Sequence, residues 1–380
     1  MQYRRLGKTD LMVSEIGFGA EWLERMDGDG CTAVIRAAEA EGINILDCWM
    51  PEPNVRTHIG EAIRGHREKW YIQGHLGSTW QGGQYVRTRE MDRVKEAFED
   101  LLTRLGTDYI DLGMIHYVDD VAEWDGIVNG PFLAYVHELK EKGIIRHVGL
   151  SSHDPAVAKK AILSGEIEML LFSVNPAFDL RPAGEDLMDM LQGEYDHALA
   201  GMDPARAEVY SLAEQHDVGI TVMKGFAGGR LLKAEASPFG VAMTPVQCIH
   251  YALTRPAVAS ILVGYSDPAH VKDAVHYETA TEQEKDYATV LAAAPLHAYS
   301  GRCMYCNHCK PCPMDIDIAM VNKLYDLATM QPAVPESLRA HYQAMAHNAD
   351  ACIGCGSCET RCPFHVSIVE RMDRARSLFA

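Results

Sequence analysis

Two runs of cysteine near the end of the chain constrain its fold more than any other feature. The first is Cys303, Cys306, Cys309 and Cys312, followed by Pro313; the second is Cys352, Cys355, Cys358 and Cys362, followed by Pro363. Three thiolates at C-x2-C-x2-C spacing wrap one face of a 4Fe–4S cube, and the cysteine before proline turns away to close the cube held by the other run. The spacing predicts one cluster on Cys303, Cys306, Cys309 and Cys362, and a second on Cys352, Cys355, Cys358 and Cys312. Structural zinc also uses C-x2-C pairs, but a tetrahedral ion leaves the third evenly spaced thiolate and the terminal Cys-Pro without a purpose. The chemistry implied is one-electron transfer.

A chain of 380 residues has room for one large domain and a small one. It is 47% apolar and 23% charged, which suits a globular protein with a core. No stretch approaches the ~20 apolar residues of a membrane span. The start, Met1-Gln2-Tyr3-Arg4-Arg5, has no apolar run after its charges and does not read as a signal peptide. A formal charge of −18 argues against nucleic acid or an anionic membrane surface as partner, since both require a basic patch. The cysteines outside the runs, Cys31, Cys48 and Cys248, are scattered and odd in number, so a reducing cytoplasmic setting is expected.

From about residue 15 to 275, short apolar runs alternate with amphipathic helical patterns. The runs are Glu15–Phe18, Ile43–Asp47, Trp70–Gly74, Tyr109–His116, Arg146–Ser151, Met169–Val174, Gly219–Met223 and Ser260–Gly264. Thr88–Leu105, apolar at Met91, Val94, Phe98, Leu101, Leu102 and Leu105, typifies the helices between them, as does Phe132–Lys142. Short buried strands alternating with helices predict a parallel sheet covered by helices. Eight such units predict an α/β fold of the closed (β/α)8, or TIM barrel, type. An open sheet would carry a Gly-rich first turn, and Gly19-Ala20-Glu21-Trp22 lacks that pattern.

The expected organisation is a barrel over residues 1–295, closed by a helix at Thr281–Leu291, and a mostly helical ferredoxin-like domain over 296–380. About forty residues separate the cysteine runs, with helices expected at Ala319–Thr329 and Glu336–His347. Asp179–Pro204, rich in Gly, Pro and Asp, follows the sixth strand and is expected to form a partial lid.

Catalytic groups of a (β/α)8 barrel sit at the C-terminal ends of its strands. Those positions hold Asp47, His75 and His116 after strands two, three and four, then Ser151-Ser152-His153, Asn175, Lys224 and Gly264-Tyr265-Ser266 after strands five to eight. Asp47, His75 and His116 come from successive strands and are expected to converge on one pocket. Ser151, Ser152, Asn175, Lys224, Gly264 and Ser266 are the candidates for holding a cofactor on the same face. Trp22, Trp49 and Tyr117 adjoin the strand ends as pocket lining or rim aromatics. Cys48 reads as a buried thiol.

Tyr3-Arg4-Arg5-Leu6-Gly7-Lys8-Thr9, Gly42-Ile43-Asn44 before Asp47, Asp108-Tyr109-Ile110-Asp111-Leu112 before His116, Gly149-Leu150-Ser151-Ser152-His153 and Met223-Lys224 form one pattern. On these residues the chain resembles the aldo/keto reductase superfamily. With its cysteine-rich end it is similar to an iron–sulfur branch of that superfamily. The resemblance implies the barrel, a nicotinamide cofactor, carbonyl reduction, and a catalytic set of Asp, Tyr, Lys and His. Counting without gaps from Asp47 to Gly60 puts Glu52 at the place of the proton-donating tyrosine, and His75 falls at that of the lysine; Asp47 and His116 match. The coenzyme signature also departs: Leu262-Val263-Gly264 stands for Ile-Pro-Gly, and Met223 for the ring that stacks on nicotinamide.

Three arrangements follow for the mouth. His75 can act as general acid, oriented by Asp47, with His116 polarising the substrate oxygen. Asp47, Glu52, His75 and His116 can instead ligate a mononuclear metal. The barrel can also be a scaffold without catalysis. The expected function is an iron–sulfur oxidoreductase that reduces a small carbonyl-type molecule, with electrons exchanged through a carrier protein such as ferredoxin or flavodoxin. Clusters carry single electrons while such reductions take two, so NAD(P) or flavin is expected as a two-electron store. The alternatives are an NAD(P)H-dependent carbonyl reductase with accessory clusters, and an electron-transfer protein with an inert barrel.

Overall fold

The computed structural model describes residues 1–179, 202–292, 303, 305, 307–329 and 333–380. Eight parallel strands close into a barrel: β1 (Ile16–Gly19), β2 (Ile45–Cys48), β3 (Tyr71–Leu76), β4 (Ile110–Ile115), β5 (Ile145–Ser152), β6 (Met169–Ser173), β7 (Gly219–Met223) and β8 (Val258–Gly264). Each strand pairs with its sequence neighbours, and β8 pairs with β1 through Ile261 and Ile16. The eight expected runs are these strands, displaced by at most a few residues at their ends.

Alternation along the strands sorts the core into two layers. Ile45, Leu112, Met114, Met169, Leu171, Ala259 and Leu262 fill the barrel with Leu6 and Val13 from the N-terminal hairpin, Tyr3–Arg5 paired to Met12–Ser14. The intervening residues, such as Leu46, Ile72, Ile115 and Phe172, pack outward against the helices. Helix α1 (Met91–Leu105) shows the complementary helical period, burying Val94, Phe98, Leu101 and Leu105. It presses so closely on β3 that a Cβ on Gly74 would come within 2.9 Å of the Leu101 side chain.

The expected closing helix begins only at Tyr287 and runs to Ala292. Residues 281–286 are held as turns instead, with Glu284 accepting from both the amide and the hydroxyl of Thr281 at 2.8 Å. The lid expected between Asp179 and Pro204 lies mostly outside the described residues. Its two ends meet, since Asp203 N–H donates to Asp179 C=O at 2.7 Å. The 295/296 domain boundary also falls outside the described residues.

Beyond it, helices Ile318–Thr329, Glu336–Ala344 and Ile368–Phe379 enclose a small core of Val321, Leu324, Tyr342, Met372 and Phe379. The second of these stops three residues short of the expected His347. No described helix is long and apolar enough to cross a membrane.

Candidate active site

The two-residue period that packs the barrel also builds its mouth. On β2 it turns Ile45 and then Asp47 inward, on β3 Tyr71, Gln73 and His75, and past β4 it carries Leu112 and Met114 on to His116. The three expected groups meet and bond directly to one another. His75 Nε2 lies 2.8 Å from Asp47 Oδ1, and His75 Nδ1 lies 2.8 Å from His116 Nδ1. Gln73 Nε2 donates to the same Asp47 oxygen at 2.9 Å.

The line has a fourth member. His116 Nε2 lies 2.8 Å from the hydroxyl of Tyr85, which stands on a β-hairpin (Ser78–Gln81 paired to Gln84–Arg87) that rises beyond β3. Gly82 and Gly83, with φ of 57° and 81°, make its two-residue turn, a conformation only glycine adopts cheaply at both positions. Ser78 Oγ ties the hairpin base to Trp49 C=O at 2.7 Å. The Trp49 ring lies parallel to His116, at 5.9 Å and 9°, and meets Tyr85 edge-on at 5.3 Å. Trp49 is therefore a wall of this site.

Chemistry orients the line. With Asp47 as carboxylate, it accepts from His75 Nε2–H, which leaves Nδ1 of a neutral His75 as an acceptor. His116 Nδ1–H then donates to it, and His116 Nε2 accepts from Tyr85 O–H. Every bond points inward, toward Asp47. Burial, and after it the charges of His75, Arg89 and Arg87, holds His116 well below the ordinary imidazole value, so it is neutral near pH 7. Burial pushes the Tyr85 phenol up to about 12 against a lowering pull from Arg87, so the hydroxyl keeps its proton.

Two expectations for this mouth need correction. Glu52 does not join the group: its carboxylate caps the helix Pro53–Ala62, accepting from Val55 N–H at 2.8 Å and from Asn54 at 3.0 Å. His75, 2% exposed, has both nitrogens occupied by Asp47 and His116 and offers none to a substrate. The same occupancy leaves no lone pair set for a mononuclear metal. Among the described residues, no three His, Cys, Asp or Glu side chains converge on a single ion.

The cofactor candidates occupy the other side of the mouth, each with an internal partner. Asn175 donates to Lys224 C=O at 2.8 Å and accepts from Phe178 N–H at 2.9 Å. Lys224 pairs with Glu21 at 3.7 Å. Ser152 Oγ donates to Asp119 at 3.1 Å, Ser151 accepts from Val118 N–H at 3.0 Å through its carbonyl, and Ser266 Oγ lies 3.1 Å from His270 Nδ1. Gly264 gives space to the Trp22 indole, which a Cβ would meet at 2.3 Å. Cys48 is buried, and burial pushes its thiol up to about 12.

In the C-terminal region, Cys312, Cys352, Cys355 and Cys358 line one cavity with the apolar Met314, Ile316, Ile353 and Met372. The four sulfurs thus border one shared space. Arg361 donates to the carbonyls of Cys309 at 2.8 Å and Pro311 at 2.7 Å, which lays the segment next to Cys362 along the first run. Cys306 lies outside the described residues.

Comparison with known proteins agrees with both regions. The aldo/keto reductase family matches residues 15–244, and the 4Fe-4S binding domain matches residues 345–366. The uncharacterized oxidoreductase YqkF of Bacillus subtilis (strain 168) is 27% identical over 302 residues, 75% of this chain and 94% of that protein. The NADH-specific methylglyoxal reductase of Escherichia coli (strain K12) is 25% identical over 185 residues, 43% of this chain and 56% of that one. Among solved structures, the holo form of aldo-keto reductase AKR11C1 from Bacillus halodurans superposes with a TM-score of 0.59 at 25% identity, over 75% of this chain and 94% of that one. The match over residues 15–244, more than half of the chain, on a closed (β/α)8 barrel places the chain in the aldo/keto reductase family.

Proposed function

We propose that the protein is an iron–sulfur oxidoreductase that reduces a small carbonyl compound at the barrel mouth, with Tyr85 as the proton-donating group and His116, His75 and Asp47 as the line that resupplies it. The observation that carries this reading is the unbroken string of three contacts at 2.8 Å from Tyr85 to Asp47. Reduction of a carbonyl to an alcohol takes two electrons and two protons. One proton taken up from water reverses the string: the His116 Nδ1 proton passes to His75 Nδ1, the added proton comes to rest on His116 Nε2 and faces the Tyr85 oxygen, and the phenol proton turns outward to the substrate oxygen. The phenol thus performs the task that the family's tyrosine performs, but from the hairpin. An imidazole at His75 replaces the lysine. An inert barrel has no use for such a buried polar line, whose desolvation costs stability unless every group is paired.

The grouping of Cys312 with Cys352, Cys355 and Cys358, and the Arg361 clasp beside Cys362, support two clusters, the other held by Cys303, Cys306, Cys309 and Cys362. Bound there, they supply one-electron steps, so the protein exchanges electrons with a small carrier such as a ferredoxin or flavodoxin in the cytoplasm. A nicotinamide is the two-electron partner that the family and the name of the Escherichia coli relative favour; Asn175, Lys224 and Gly264, at the strand ends, are the residues we assign to it.

Tyr85→Phe tests the donor. It keeps the ring against Trp49 and removes only the hydroxyl, so turnover of a carbonyl substrate should fall roughly 10²–10⁴-fold with the visible spectrum of the clusters unchanged. Turnover within a few-fold of the parent sinks the reading.

A further inference from the structure

The hairpin that carries Tyr85 forms its own two-stranded sheet apart from the barrel, so side chains must align it with His116. Two arginines at its end do so. Arg87 closes the second hairpin strand, and Arg89 follows two residues later. Arg89 Nη2 donates to the His116 carbonyl at 2.5 Å and to the Tyr117 carbonyl at 3.0 Å. Arg87 Nη1 donates to the same Tyr117 carbonyl at 2.7 Å. Glu123, on the helix Val121–Val128, accepts from both guanidinium groups, from Arg89 Nε at 3.0 Å and from Arg87 Nη1 at 3.3 Å.

The surrounding backbone is shaped to this clamp. Gly77, between β3 and the hairpin, has φ of 95°, and a Cβ there would come within 2.4 Å of Arg89 Nη1. The Arg89 guanidinium lies 5.3 Å from the Phe132 ring, and its side chain is only 22% exposed. Tyr117 has φ of 44°, a left-handed conformation that a residue with a side chain keeps only where its surroundings fix it. The arginines fix it through its carbonyl, and the Tyr117 ring then meets His116 edge-on at 6.1 Å.

Building on the reading of Tyr85 as the proton donor, we propose that Arg89 is the positioning residue of the hydrogen-bonded line: through the backbone of His116 and Tyr117 it holds the imidazole in register with the hairpin phenol, and Glu123 keeps the guanidinium in place. Arginine suits the task because its planar fork bonds carbonyls on one edge and a carboxylate on another. Its charge acts on the same groups. After burial and the charge of His75, Arg89 is the next cause that holds His116 low, ahead of Arg87 and His153. The other groups around His116 are Tyr85 and Tyr117, with Asp47 behind His75, Glu123 behind the arginines and Asp119 paired to His153 at 2.9 Å.

The test measures kcat and KM for a carbonyl substrate across pH in Arg89→Gln and Arg89→Lys, with the visible spectrum of the clusters as the control for folding. Arg89→Gln should lower kcat roughly 10²-fold with KM within a few-fold of the parent, the size expected when reacting groups are misplaced by about 1 Å. Without the cation the line takes up its added proton at higher pH, so the alkaline fall of kcat should also move upward. Arg89→Lys keeps the charge but has no fork to span both carbonyls and Glu123. Its alkaline fall should stay where the parent's is, while its kcat remains at least roughly tenfold low.

A kcat for Arg89→Gln within a few-fold of the parent overturns the proposal. So does full recovery of kcat in Arg89→Lys, which would make charge alone sufficient, and so does a loss confined to KM. Should Arg89→Gln fail to fold, the Arg89→Lys result decides by itself. An active Tyr85→Phe removes the donor reading and this one with it, whereas an inactive Tyr85→Phe beside an active Arg89→Gln removes only the role of Arg89.

Discussion

The barrel mouth and the cysteine loops organise reactive groups by opposite means. At the mouth, Asp47, His75 and His116 are fixed by three hydrogen-bonded strands, and their polar atoms satisfy one another. The cysteine runs lie on irregular backbone, with positive φ at Tyr305, Asn307, Gly354 and Gly356, and arginine side chains hold their carbonyls. The hydrogen-bonded line is therefore preorganised by the sheet, whereas thiols on irregular backbone are expected to gain their order from the group they bind. A site of the first kind survives loss of a cofactor; one of the second kind does not.

The largest expected effect separates the two regions directly. Anaerobic removal of iron by a chelator should abolish amide exchange protection across residues 307–317 and 349–366, while β2, β3 and β4 keep theirs. Equal loss in the barrel strands would show that the two regions fold as one unit, and the contrast drawn above would be wrong.

Next in size is Asp47→Asn. An amide can present N–H to His75 in place of an acceptor, and this disorients the whole line at its root. Turnover should drop roughly 10²–10³-fold, and stability should fall by about 1–3 kcal/mol because buried donors lose their acceptor. Iron content should not change. An active Asn variant would mean that the line carries no protons.

The sequence foretold much of this and missed the fourth member of the hydrogen-bonded line. Strand periodicity located β1 to β8, and the same two-residue rule brought Asp47, His75 and His116 to one point, since all three are inward positions at strand ends. Cysteine spacing joined Cys312 to Cys352, Cys355 and Cys358, and these four line one cavity. Tyr85 escaped because counting along the family pattern looks for the phenol on the segment after β2, where this chain has Glu52 between Pro51 and Pro53. Proline at the first helical position and a carboxylate before it are a helix start, which is what Glu52 supplies. A signal for the hairpin was present: Gly82-Gly83 between Thr79-Trp80 and Tyr85-Val86 is a two-residue turn flanked by strand-forming pairs. No local signal, however, says that such a hairpin folds back over His116. That placement depends on Ser78 bonding Trp49 and on the Trp49 ring lying against Tyr85, contacts between segments about thirty residues apart.

The smallest effect concerns the ground between the two regions. His250 is half-buried on the helix Pro245–Leu253, with Nδ1 3.1 Å from the Tyr277 hydroxyl and its ring 5.7 Å from that of Tyr287. Burial, with Lys285, Arg255 and Arg4 adding to it, lowers its pKa from 6.5 to about 4. A histidine depressed on folding binds its proton more readily in the unfolded chain. Its contribution is therefore complete above about pH 6.5 and is lost as pH falls toward 4. The loss over that window is about 3 kcal/mol, from about 1.4 kcal/mol per pKa unit. Hydrogen exchange of this helix should show its opening free energy falling by that order between pH 7 and pH 4. His250→Gln should flatten the dependence, even though it costs about 1 kcal/mol at pH 7 through the altered contact with Tyr277. The same helix leads into Arg255, whose guanidinium lies 5.5 Å from the Tyr305 ring, so acid should loosen the junction with the first cysteine run before it disturbs the mouth. A variant with the parent's full pH slope would place the acid-sensitive group elsewhere and remove this junction as the weak point between barrel and clusters.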